Sequence, residues 1–281
     1  MADTFAAVKD FLRPIAHGFR YFVVREAFKV EKLFESEIQR NPVKPSRMFA
    51  FVTNICNARC TFCQYPKHEG PKGVLELDTF KVAVDQFSEL GVEHLNLTPN
   101  NGDPLVDKGL IEKIKYAREK GMKHVGFNTN GILLSRGDIV EKIVEHVSDI
   151  SISFPGLDPE NYKRVYGVDK ALELEEGLIS LAETKIRMKS DINILLDFRI
   201  DRPFEEVLLD KGMQRLKPYI DDGIMEIHDI RSEMFNWSGV VSEDDFTGIM
   251  KMREVVLPKN LLPCNRTMSA LNTALLPNGN V

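Results

Sequence analysis

Cysteine is scarce in this chain, with four in 281 residues, too few for a disulfide framework at this length and in keeping with a reducing, cytoplasmic setting. No stretch approaches the roughly 20 uninterrupted apolar residues that a membrane helix needs. The start, Met1-Ala2-Asp3, lacks the basic and apolar regions of a signal peptide. Neither sign of charge dominates: a formal net charge of −5 argues against wholesale nucleic-acid binding. Internal repeats and low-complexity tracts are absent. With 43% hydrophobic and 28% charged residues, the composition excludes collagen-like, mucin-like and largely disordered chains and leaves enough apolar surface to bury a core.

What is present is alternation. Residues 4 to about 40 read as helix, interrupted at Pro14 and ended by Asn41, Pro42 and Pro45. From Arg47 onwards, apolar strands alternate with amphipathic helices. The pairs expected are strand 48–53 with helix 78–90, 93–98 with 108–120, 124–129 with 138–146, 149–154 with a helix after Gly167, 192–199 with 203–216, and 224–230 with 242–253. Asp78 is the expected N-cap of the first of these helices and Gly91 its stop. Six βα units predict an α/β fold, a partial (β/α)6 TIM-like barrel with its chemistry at the carboxyl ends of the strands. The expected division is a helical segment over 1–46, the barrel over 47–256 and an extension over 257–281.

Three of the four cysteines fall together, in Cys56-Asn57-Ala58-Arg59-Cys60-Thr61-Phe62-Cys63, directly after the first strand. Three thiolates on one short loop can hold three corners of a [4Fe–4S] cube, leaving one iron open to a small-molecule ligand. The alternative is a structural zinc site with Cys264 or His68 as fourth ligand. Zinc sites, however, usually pair cysteines as C-x-x-C in small ribbon-like modules. A plain electron-transfer cluster normally uses four cysteines.

The C-x-x-x-C-x-aromatic-C spacing resembles the signature of the radical S-adenosylmethionine (SAM) superfamily. Asn101-Gly102-Asp103-Pro104-Leu105, after the second strand, resembles that family's Gly-Gly-Glu-Pro motif, with Asn101 in place of the first Gly and Asp103 in place of Glu. By resemblance this turn binds the amino group of the methionine moiety and Phe62 packs near the adenine. Asn128-Thr129-Asn130-Gly131 resembles the third-strand ending, Ser153 on the fourth strand meets the ribose, and Arg199 on the fifth is the carboxylate partner. A turn rich in Asn, Gly, Asp and Pro also forms for purely structural reasons, and Arg199 has a salt bridge on the barrel rim as its alternative. His68, His124 and His228 show no spacing that makes a metal site and receive no role.

The resemblance covers residues 47 to about 230 and implies a [4Fe–4S] cluster on Cys56, Cys60 and Cys63. It also implies bound SAM, an external electron donor such as flavodoxin or ferredoxin, and reductive cleavage of SAM to a 5′-deoxyadenosyl radical that abstracts hydrogen from substrate. Sugars, lipid-linked intermediates and peptides are the substrate classes it leaves open. Asn236-Trp237-Ser238-Gly239, Pro263-Cys264 and Pro277-Asn278-Gly279 resemble the entry to the SPASM or twitch extension, making Cys264 a ligand of an auxiliary Fe–S cluster. The next cysteine of that pattern would lie beyond Val281, so the expectation is either a fragment or a lost auxiliary site. Read alone, Cys264 is a small buried hydrophobe or a hydrogen-atom donor. Residues 1–47 hold seven aromatics and nine Lys or Arg against six Asp or Glu, a face that packs on the barrel or lies on a membrane surface. A non-enzymatic electron carrier and a zinc-stabilised α/β binding protein are the competing function classes.

Overall fold

Strand and helix periods alternate through the computed structural model, which describes residues 45–253 and 272–275. Residues 46–253 belong to one compact unit. Six strands pair in parallel: β1 (Arg47–Ala50), β2 (His94–Asn96), β3 (His124–Thr129), β4 (Asp149–Phe154), β5 (Asn193–Arg199) and β6 (Glu226–Arg231). They lie in chain order across the sheet, and a further strand, Asn272–Leu275, sits beside β1. The helices between them are α1 (Leu77–Glu89), α2 (Leu110–Glu119), α3 (Ile139–His146), α4 (Pro159–Tyr166), α5 (Ala171–Met188), α6 (Phe204–Val207) and α7 (Lys211–Asp221). This is the partial TIM-like barrel that the alternation predicts.

The two faces of the sheet differ. Val125, Phe127, Ile150, Ile152, Phe154, Ile194, Leu196 and Phe198 are buried on the helix side. They pack there with Phe80, Val84, Leu110, Ile114, Ile143, Leu174, Leu178 and Leu216 from the helices, the burial that supplies most of the folding free energy. The opposite face carries His94, Asn96, His124, Asn128, Asp149, Ser151 and Asp197 and lines a cavity of about 450 Å³. Parallel sheets are ordinarily apolar on both faces. Polar alternation within parallel strands therefore marks an open barrel interior.

Several elements depart from the sequence expectation. β1 ends at Ala50 because Thr53 and Asn54 turn the chain toward residues 71–73: Thr53 Oγ1 donates to the Gly73 carbonyl at 2.9 Å, and Asn54 exchanges bonds with Pro71 and Gly73. β2 ends at Asn96, whose side chain accepts from the Thr98 amide at 2.8 Å and closes a turn. α1 begins at Leu77, so Asp78 lies in its first turn rather than at its cap, while Gly91 is left-handed as a helix stop requires. α4 was not expected. Its signals are Asp158, whose side chain accepts from the Asn161 amide at 2.8 Å, Pro159 in the first turn and Gly167 at φ +68°.

The helix expected over 203–216 is two helices. Asp210, buried between them, accepts from the Leu157 and Asp158 amides and from Arg202, which breaks the helical run. The helix expected over 242–253 does not form. Ser242 and Asp245 close a capping box around a single 3-10 turn, and Gly248 at φ +56° passes so near the Asp201 carbonyl that a Cβ there would stand 1.8 Å away. The chain then forms a short strand, β8 (Lys251–Met252), paired with β7 (Glu233–Met234). The helix expected over 4–40, Cys264 and the Asn278-Gly279 turn lie outside the described residues.

Candidate cluster and cofactor site

The loop after β1 carries Cys56, Cys60 and Cys63 at the carboxyl end of the sheet, all three half-buried and free of disulfides. It docks on the last turn of α4, where the Arg59 amide donates to the Tyr166 carbonyl and the Thr61 amide to the Val165 carbonyl, each at 2.9 Å. Those carbonyls have no partner within the helix, so the helix end becomes the cradle of the loop. Gly167 makes the approach possible: a Cβ there would stand 2.6 Å from the Arg59 carbonyl oxygen.

Burial pushes the Cys56 thiol up to about 12, with the Asp103 carboxylate adding to the rise. Cys60 stands well above the ordinary thiol range for the same first reason and through its two cysteine neighbours. Cys63 is raised by burial, while the Tyr65 and Gln64 amides pull it down. Thiols grouped this way resist ionising alone, and a cationic iron core supplies the missing positive charge. Sulfur-directed donors are already in place: the Ala58 amide on Cys56 Sγ at 3.5 Å, the Tyr65 amide on Cys63 Sγ at 3.4 Å and Asn130 Nδ2 on Cys56 Sγ at 3.7 Å. Among the described residues, no group of three or more His, Cys, Asp or Glu side chains is placed to hold a single metal ion. Three thiolates on one loop suit a cube that takes one thiolate per iron.

Asp103 joins three loops. Its amide donates to the Ile55 carbonyl at 2.9 Å. Its carboxylate accepts from Thr129 Oγ1 at 3.0 and 2.9 Å, from the Asn130 amide at 2.7 Å and from the Leu105 amide at 3.0 Å. Burial pushes this carboxyl up to about 6 against those donors. Both oxygens are thereby engaged inside the protein. Gly102 is at φ +145°, and a Cβ would stand 2.8 Å from the Thr53 carbonyl oxygen, so only glycine lets this turn lie against the Thr53–Asn54 backbone that follows β1. Next to it, Asn101 Oδ1 is buried without a partner, as are Thr61 Oγ1 and Asn57 Nδ2 in the cysteine loop. Unpaired buried polar atoms are costly, and their grouping around the trio suits a polar ligand such as SAM. Pro104 opens the 3-10 turn that Asp103 caps.

Phe62 meets Tyr166 edge to face at 5.7 Å. Ser153 shares a hydrogen bond of 2.9 Å with the Tyr166 hydroxyl. Asn128, exposed, is held through its amide and side chain by Thr98. Arg199 is ion-paired with Asp229 at 2.9 Å and stands 3.7 Å from Asp197, the rim salt bridge that was its alternative reading.

Three groups escaped sequence reasoning. Asn130 links Cys56 to Asn57, with its Nδ2 2.7 Å from Asn57 Oδ1. Tyr162 and Tyr166 meet with tilted rings 5.1 Å apart on α4, a helix the apolar spacing does not reveal. In the barrel interior, His228 Nδ1 lies 2.8 Å from Asp197, whose other oxygen accepts from Ser151 at 2.6 Å, and His124 Nε2 lies 2.9 Å from Asp149. The signal for these pairs was the polar alternation of β3 to β6.

An open parallel barrel with a polar interior and three thiols beyond the carboxyl ends of its strands defines a cluster-binding α/β-barrel protein. A family model described as the Radical SAM superfamily matches residues 51–210, more than half of the chain. The chain belongs to that superfamily, which implies a [4Fe–4S] cluster and SAM. It is similar to a GTP 3′,8-cyclase of Actinobacillus succinogenes, 26% identical over 162 residues that make up 56% of this chain and 47% of that protein. It is also similar to one of Tolumonas auensis, 31% identical over 149 residues, 52% of this chain and 43% of that protein. The chain thus spans about half the length of the curated relatives it matches. Among solved structures, Streptococcus suis SuiB bound to its precursor peptide SuiA superimposes with a TM-score of 0.57 at 12% identity, covering 80% of this chain and 46% of that one. SuiB bound to S-adenosylmethionine gives a TM-score of 0.54 at 13% identity, covering 80% and 48%. At such identities the likeness shows the fold.

Proposed function

We propose that this chain is the catalytic core of a radical SAM enzyme acting on a small, polar, hydroxyl-rich substrate held in the barrel interior. The observation that carries the reading is the joining of two features in one fold: three grouped thiols at the carboxyl ends of the strands, and a cavity of about 450 Å³ with several polar side chains on the inner face of the same strands. That volume falls within the range of small-molecule sites. In this reading Cys56, Cys60 and Cys63 hold the cluster. The turn at Asn101, Gly102 and Pro104, with Phe62, Asn128, Ser153 and Arg199 around it, forms the wall against SAM. When bound, cluster and SAM together supply a 5′-deoxyadenosyl radical for hydrogen abstraction.

The chain's own residues position and shield. Asp103 fixes the relative places of the loops after β1, β2 and β3 and leaves backbone, rather than its carboxylate, to face a ligand. Asn128, Asn96 and the imidazoles of His94 and His228 offer donors and acceptors for hydroxyl groups, while Asp149 and Asp197 are already paired. Such a lining favours sugars or nucleosides over lipid chains. An auxiliary cluster using Cys264, an external flavodoxin or ferredoxin and a cytoplasmic setting complete the proposal by family resemblance.

The test is anaerobic reconstitution with iron and sulfide, followed by SAM and a reductant. Release of 5′-deoxyadenosine and methionine, increased by a hydroxyl-rich substrate, is expected, and GTP is the first compound to try because the relatives named above are GTP 3′,8-cyclases. A cluster whose spectrum ignores SAM, with no 5′-deoxyadenosine released, would support the electron-carrier class instead.

A further inference from the structure

The segment between β7 and β8, whose part from Ser242 onwards was expected to be helical, instead reaches back to the cysteine loop. Its ends are pinned where β7 and β8 pair, with the Lys251 amide donating to the Ser232 carbonyl at 2.9 Å and the Arg253 amide to the Met234 carbonyl at 2.8 Å. From that base, Trp237 Nε1 donates to the Phe62 carbonyl at 2.9 Å. Lys67, just past the cysteines, donates to the Val240 carbonyl at 3.2 Å and pairs with Asp245 at 2.5 Å. These contacts join residues more than 170 positions apart in the chain.

The backbone is strained where it touches. Trp237 and Ser238 have φ of +48° and +59°, followed by Gly239 at +91°. Two consecutive non-glycine residues in the left-handed region persist only when their surroundings hold them there. The holding bonds are local, from the Ser238 amide to Asn236 Oδ1 and from the Gly239 amide to the Asn236 carbonyl, together with the indole bond to Phe62. A second tie comes from Asp201. Its carboxylate accepts from Asn161 and Arg164 of α4, and its carbonyl accepts from the Ile249 amide at 2.7 Å. The cysteine loop is therefore gripped from two sides, by the carbonyls at the end of α4 and by the segment 235–250, and Asp201 fastens both grips together.

We infer that residues 235–250 are a clasp on the cluster loop and that Trp237 is a positioning residue: by holding the Phe62 carbonyl it sets the orientation of Cys63 and the firmness with which iron is retained. Phe62 immediately precedes Cys63, so a rotation of that peptide displaces the ligand. Partners outside the ligand set commonly govern metal affinity by about tenfold or more. The Lys67–Asp245 pair, with Lys67 largely exposed, contributes less.

Trp237 is the single tryptophan of the chain, which gives the test its own probe. In the full chain loaded anaerobically with iron and sulfide, tryptophan emission is expected to fall relative to the cluster-free protein through energy transfer to the cluster. Trp237→Phe keeps a ring and removes the donor. Its loaded form is expected to lose iron to a chelator about tenfold faster and to show an altered electron paramagnetic resonance signal after reduction, at unchanged circular dichroism. Asp245→Asn tests the clasp at a half-buried carboxylate near the surface if Trp237→Phe fails to fold, with a smaller acceleration expected. The exchanged pair Lys67→Asp with Asp245→Lys should bring the rate back. Equal iron loss and an unchanged resonance signal in both single variants would overturn the inference, as would emission indifferent to cluster loading. A wild-type chain that takes up no cluster would instead overturn the assignment of Cys56, Cys60 and Cys63.

Discussion

The loops that follow β1 to β3 and the clasp that follows β6 meet at the same cysteines and are built in opposite ways. The first group is made of short motifs that close mostly on themselves or on a neighbouring element: Asp103 caps its own turn and bonds Thr129 and Asn130 one strand away, and the cysteine loop rests on the end of α4. The clasp closes small turns of its own at Asn236 and at the Ser242–Asp245 capping box, but it is set against the site through Phe62, Lys67 and Asp201, all distant in the chain. Chemistry is concentrated in the local group. Orientation of that chemistry depends on the remote one, because a loop anchored only at its own ends leaves its ligands free to move.

The comparison is most sharply tested at its centre. Replacing any one of Cys56, Cys60 or Cys63 by Ala should abolish the [4Fe–4S] spectrum and all reductive SAM cleavage while far-ultraviolet circular dichroism stays native. Retention of a full cluster in any of the three variants would break the assignment. Next in size is a change remote from both groups. Phe198 is fully buried, 4.6 Å from Phe154 and 4.9 Å from Phe204 between ring centroids. Phe198→Ala should cost about 3–5 kcal/mol in denaturant unfolding yet leave the cluster spectrum of the folded fraction unchanged. A loss of cluster larger than the loss of folded protein would show that the helix-side core and the site are not separable.

The smallest effect concerns the local staple. The Asp103 carboxyl is pushed up to about 6 in the folded, cluster-free protein, above its unfolded value. Its contribution to stability is fully present below about pH 4 and is lost as pH rises through about 6, a change of about 3 kcal/mol. The urea midpoint of the cluster-free chain should therefore carry a component that declines across that window, and Asp103→Asn should remove it. An identical pH dependence in the two proteins would show that the internal donors hold the carboxylate charged throughout.

Much of this was legible before the structure. Strands 124–129 and 149–154 appear with the expected bounds, since their alternation is uninterrupted and buried on one face. The cysteine loop was legible because ligand spacing is a local property. The departures share a cause: a polar side chain that found a distant partner. Asp210 breaks a helix to bind the Leu157 and Asp158 amides, and Thr53 with Asn54 ends β1 to bind residues 71–73. At 242–253 the apolar spacing of a helix is real, but Gly248 and the capping box turn those residues to other uses. The cap signals of α4, Asp158-Pro159 and Gly167, stand in the sequence without a long apolar period between them.

By itself, then, the sequence determined the βα alternation and the trio of thiols with its Gly-Asp-Pro turn. Each follows from residue types at fixed short spacings, and short spacings convert directly into backbone periodicity and ligand reach. Only the tertiary structure decided that Asp103 turns inward, that Arg199 pairs with Asp229, that His228 and Asp197 pair in the barrel interior, and that Trp237 reaches Phe62. Those depend on which distant donors and acceptors are brought within about 3 Å, the distance at which a hydrogen bond forms, and chain separation carries no information about that distance.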